Sequence, residues 1–106
     1  MTQVTVGSKF INQVGYRQYV NALVEPAANT TGIVIRTVSA CGGRLYADTV
    51  KPPLSHRMDS YPAIFVASSG SNFDTLPYEL VVPAGLGIFW APGNDNSSVW
   101  MTYDNL

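Results

Sequence analysis

The chain has 106 residues, 46% hydrophobic and 12% charged, with a formal net charge of −1. That is the length of a single domain, able to bury roughly two thirds of its unfolded surface without staples. The absence of any basic cluster argues against nucleic acid as a partner, since such binding draws most of its affinity from phosphate neutralisation. One cysteine, Cys41, excludes an intramolecular disulfide and a cysteine-based metal site. No window is apolar over the length of a membrane span.

Charged residues in an average soluble domain come to about 25%, so this surface must be built largely from Ser, Thr, Asn and Gln. Such a surface suits a protein packed against partners, and equally a plain β-domain. The N-terminus has no positively charged start and no long apolar run, so no signal peptide is expected and synthesis and folding are placed in a cytoplasm. Asn29-Thr30-Thr31 and Asn96-Ser97-Ser98 match the N-glycosylation pattern, and without a secretory signal they read as chance matches in polar turns.

In chain order, Thr2 to Val6 alternates in β fashion before Gly7-Ser8-Lys9 interrupts it. The apolar pair Phe10-Ile11 follows, and residues 1–13 read as an edge strand or an arm packed on a neighbouring subunit. Tyr16 to Val24 reads as a strand, with Val20, Ala22 and Val24 on one face; Tyr16, Tyr19, Val20 and Leu23 also fit helical spacing. Pro26 and Ala28–Gly32 close it. Ile33 to Ser39 is heavily β-branched. Gly42-Gly43 then predicts a reversal into Arg44–Val50 as an antiparallel hairpin.

Lys51-Pro52-Pro53 ends that strand, because proline cannot donate to a ladder. Leu54 to Tyr61 reads as a long connection, and Pro62 to Ala67 as a buried strand. A polar loop leads into Tyr78–Tyr103, which reads as a β-meander of three strands, Tyr78–Val82, Leu86–Ala91 and Ser97–Tyr103. Pro83-Ala84-Gly85 and Pro92–Asn96 are its turns, Gly85 taking positive φ. In the last strand Val99, Met101 and Tyr103 share one face, Ser98, Trp100 and Thr102 the other. Seven to eight short strands with turn signals between them predict an all-β fold, a single antiparallel β-sandwich or jelly roll spanning residues 1–106.

Candidate chemistry is sparse. His56, the only histidine, lies in Leu54-Ser55-His56-Arg57-Met58-Asp59-Ser60, without a Gly-x-Ser-x-Gly elbow or a glycine-rich oxyanion loop beside it. A polar-loop histidine is the simpler reading. Asn94-Asp95-Asn96 offers oxygen ligands for calcium but only one charge, so it reads as a turn. Seven acids scattered along the chain localise no glycosidase pair. Cys41, with Arg44 close by, could be activated as a thiolate, but a lone cysteine at a strand end is the small apolar residue it resembles. No catalytic residue, metal or cofactor is assigned.

The aromatics carry more. Phe89 and Trp90 fall on opposite faces of one strand, with Trp100 on the next. Either a large ring points outward, as a carbohydrate platform or a subunit interface, or a further layer covers it. Phe10, Ile11, Phe89, Trp90 and Trp100 are therefore the interface or binding candidates.

Pro83-Ala84-Gly85-Leu86-Gly87-Ile88-Phe89, with a last strand ending in Tyr103-Asp104, resembles the closing strands of small β-sandwich modules in tailed-bacteriophage virions. The resemblance covers about the last quarter of the chain. It implies a non-enzymatic structural or binding role: a capsid decoration or cement protein, or the head module of a tail fibre or tail tip. It also implies a homo-oligomer, a trimer first, docked on a larger capsid or tail protein within the virion. The expectation is a capsid cement protein; the alternative is a carbohydrate- or receptor-binding module using Trp90 or Trp100.

Overall fold

The computed structural model describes residues 5–15, 20–51, 63–67, 73–92 and 97–106. They form nine strands: β1 (Lys9–Gly15), β2 (Asn21–Val24), β3 (Ile33–Cys41), β4 (Gly43–Asp48), β5 (Ala63–Val66), β6 (Asp74–Thr75), β7 (Leu80–Val82), β8 (Gly87–Pro92) and β9 (Ser97–Asn105), with a single 3₁₀ turn at Pro26–Ala28. Every pairing among them is antiparallel. One sheet runs β1-β9-β3, with β6 and β7 both along the far side of β3; the other runs β2-β8-β4-β5. The expected sandwich is the observed fold. Its pairs nest, β4 with β5, β3 with β6 and β7, β2 with β8, β1 with β9, which is the winding of a jelly roll.

The count exceeds the expected seven to eight because one edge is divided. β6 pairs with Ser39–Ala40 and β7 with Ile33–Ile35, so both lie along the same side of β3. Pro77 stands between them, and a residue without an N–H interrupts a ladder.

Two local expectations are corrected. β3 and β4 are not a hairpin: only Gly42, at φ 68°, separates them, and they belong to different sheets. The usual hairpin loops have two or more residues, so this single left-handed glycine carries the chain across the sandwich. Likewise β7, β8 and β9 are not a meander, because β8 lies in the sheet opposite to the other two. The turn itself is where it was expected, with Gly85 at φ 91° between β7 and β8.

The core follows from alternation. Ile33, Ile35, Val38 and Ala40 of β3, with Val99 and Met101 of β9, face Leu45, Ala47, Ile88 and Trp90 of the other sheet, all buried. β8 is buried along its whole length, because its other face is covered too. There Phe89 and Ala91 pack with Val20 and Tyr46 in a second cluster. Gly43 makes room for the Trp90 ring, since a Cβ there would lie 2.7 Å from two of its carbons. Among the described residues the Trp90 indole N–H is buried without a hydrogen-bond partner, as is the side-chain Nδ2 of Asn21, its cross-strand neighbour on β2.

β2 keeps the strand reading over its described residues, but a register shift between Ala22 and Val24 divides the expected face. Val20 joins the second cluster and Val24 the main core. β5, expected to be buried, is an edge strand with Ala63 and Val66 exposed and only Ile64 and Phe65 packed against the core. An edge strand forms near the N-terminus, but over Lys9–Gly15, starting at the expected interruption and running past residue 13; residues 5–7 are not strand, and residues 1–4 lie outside the described residues. His56 and the turn Asn94-Asp95-Asn96 lie outside the described residues.

Candidate functional site

The outer surface of the five-stranded sheet carries two exposed aromatic side chains, Phe10 and Trp100. Val99 and Met101 point into the core, so alternation puts Ser98, Trp100 and Thr102 on the outer side, where Ser98 is buried, Thr102 half-buried and Trp100 exposed. Register then builds rows across β1, β9 and β3. Trp100 sits between Asn12 and Ser39, with Thr75 beyond; Phe10 lies beside Thr102 and Thr37, and Val14 beside Ser98 and Cys41. Phe10 is 70% exposed, Val14 50% and Trp100 44%.

Three pairs of polar side chains meet on this face. The Thr37 and Thr102 hydroxyls are 2.6 Å apart, those of Ser39 and Thr75 3.0 Å, and the Cys41 thiol lies 3.6 Å from the Ser98 hydroxyl. Cross-strand pairs of this kind fix side-chain positions on a sheet. Trp100 therefore stands on a rigid floor of neutral hydrogen-bonding groups.

Charge gathers at one end of the face. The register shift between Ile35 and Thr37 leaves Arg36 as an extra residue, the signature of a bulge that re-aims a side chain. Its guanidinium bonds Glu79 and, at 3.0 Å, Asp104. Asp104 also accepts from the Ser8 hydroxyl and, at 2.8 Å, from the Ser8 backbone N–H. Ser8 first, then Arg36, hold the Asp104 carboxyl down at about 2. The two carboxylates push the Arg36 pKa up. Gly7 donates to the Thr102 hydroxyl at 3.0 Å, so the segment before β1 is tied to β9.

Among the described residues the Ser8 hydroxyl meets the Asp104 carboxylate, a group of low basicity, while a serine nucleophile needs a base held by an orienting acid. Among the described residues no group of three His, Cys, Asp or Glu side chains is placed to hold a metal ion. Nor is any helix among them long and apolar enough to cross a membrane. Asn29 is 2% exposed, and its amide is committed to the Pro83 and Leu86 carbonyls and the Gly32 N–H, so it is closed to glycosylation. Asn96 lies outside the described residues.

Of the five candidates from sequence, the structure brings Phe10 and Trp100 together on this face. Ile11 turns inward and packs, partly buried, against the core. Phe89 and Trp90 are 1% and 0% exposed, on opposite sides of β8, so neither ring reaches the surface of the chain. Sequence reasoning missed Asn12, Val14 and the hydroxyl pairs. Their signal was the alternation Phe10-Asn12-Val14 and Thr37-Ser39-Cys41, visible once both segments are aligned with β9. Comparison of the chain with protein-family models, with curated proteins and with solved structures finds no match.

Proposed function

We propose that this chain is a non-enzymatic structural protein of a tailed-phage virion, a capsid decoration or cement protein. It self-associates and docks on a larger capsid protein through the outer face of its five-stranded sheet. The observation that carries this reading is the exposed Phe10 and Trp100 pair on a rigid face whose neighbours are neutral. Aromatic side chains are enriched where interfaces gain their energy, and charged ones are depleted from interface cores. The resemblance of Pro83–Phe89 and Tyr103-Asp104 to virion modules supplies the setting. The trimer rests on that resemblance alone.

A second reading has its own observation. Trp100 is flanked in its row by Asn12 and Ser39, and an aromatic face beside hydrogen-bonding groups is what stacks on and orients a sugar ring. The chain is then a carbohydrate-binding module at a tail tip. Immunogold labelling of virions from the source, with a glycan array alongside, separates the two. Label over the head and a silent array support the cement protein. Label at the tail tip with array binding promotes the second reading, and unlabelled virions overturn both.

A further inference from the structure

The four edges of the two sheets are not alike. The edge formed by β6 and β7 is divided at Pro77 and carries Asp74 and Glu79. β2 has four residues and a register shift against β8; β5 has four and a shift against β4. Short strands, bulges, prolines and charges are the devices by which sheet edges avoid pairing with other chains. β1 has none of the first three. It runs seven residues in unbroken register with β9, contains no proline, and its only charge is Lys9 at its start. No described strand pairs along its outer side.

The order of residues along β1 is self-complementary. Two copies paired antiparallel about Asn12 set Asn12 against Asn12 and Phe10 against Val14 of the partner strand. Ile11 then meets Gln13, and Lys9 meets Gly15, so no like charges oppose one another. The pairing places an exposed aromatic beside an exposed aliphatic at each end, the kind of cross-strand contact that stabilises a ladder.

We infer that β1 is a docking edge for β1 of a second copy of this chain, joining two five-stranded sheets across a two-fold axis at Asn12. The contact is isologous, and therefore yields a dimer rather than the trimer implied by the virion resemblance. It rests on the self-association in the proposed function and specifies its geometry.

The test is sedimentation of the full chain and of two single variants, Asn12→Lys and Asn12→Asp, with circular dichroism to confirm the fold. Asn12 is exposed, so neither change touches the core. Each variant alone sets like charges face to face at the axis, and the dimer dissociation constant rises by about tenfold or more. Mixing the two in equal amounts places Lys against Asp and restores the dimer. A wild type that stays monomeric at every concentration, or an oligomer indifferent to both variants, overturns the inference. Labelling of virion heads by such a protein leaves the cement reading standing, while a charge-sensitive dimer that labels no virion overturns that reading alone.

Discussion

At the scale of single residues, Gly85 separates backbone strain from packing. It holds φ 91°, and a Cβ built on it meets nothing within 4 Å. Any loss on substitution is therefore the cost of forcing an L side chain into the left-handed region. Gly85→Val should lower stability by about 1–3 kcal/mol in a urea melt, and Gly85→Asn by visibly less, because Asn tolerates that region. Equal losses would show that volume matters there after all. Asp104 provides the electrostatic counterpart. Its carboxyl falls from an ordinary 3.8 to about 2 in the fold, so its contribution is complete above about pH 4 and is lost as pH falls through 2. The Ser8 amide resonance should titrate with a midpoint near 2 in the wild type. In Asp104→Asn that titration should vanish, and the segment before β1 should exchange its amides faster.

At the scale of elements, Gly43 and Trp90 show how two strands of one sheet must agree. Gly43 is the first residue of β4 and faces Pro92, next to the Trp90 ring of β8. Its φ is not in the left-handed range, so Gly43→Ala isolates the clash with two ring carbons at 2.7 Å and the Ala91 carbonyl at 2.8 Å. Overpacking of this kind costs about 1–3 kcal/mol, and a thermal melt reads it. The strands themselves were legible: the β-branched run of β3, the glycine turn before β8 and the alternation of β9 all follow from local chemistry. Their partners were not. Whether a strand pairs with its neighbour or crosses to the opposite sheet depends on contacts far along the chain, and Gly42-Gly43 reads alike in either case until one sees that a single residue separates β3 from β4. The burial of Phe89 was hidden for a related reason. Alternation places it opposite Trp90, and only the fold shows that Val20 and Tyr46 pack on that side. Phe10 and Trp100 were found as candidates from residue type, but their sharing of one face needed the β1–β9 register.

At the scale of the molecule, the sandwich separates what stabilises it from what it presents. Trp90, Phe89 and Tyr46 are hidden, so the fold does not need Trp100, which stands exposed on the opposite side of β9 from Val99 and Met101. The 44% of Trp100 that stays exposed gains energy when a partner covers it. Trp100→Ala should leave the melting temperature within the small range of surface changes, about 0.5 kcal/mol in stability. Association with the partner that covers the face should weaken by about 1.5–3 kcal/mol, the worth of burying one such side chain, which is roughly tenfold to a hundredfold in affinity. Glu25→Lys, on an exposed residue ahead of the 3₁₀ turn, is the control and should change association little. The measurements are a denaturant melt and, for the docking proposed above, titration of each variant onto purified capsid shells. Should Trp100→Ala bind shells as tightly as Glu25→Lys, the aromatic face is not the docking surface. Should it melt as though a core residue were lost, the separation between the buried and the presented face is not real.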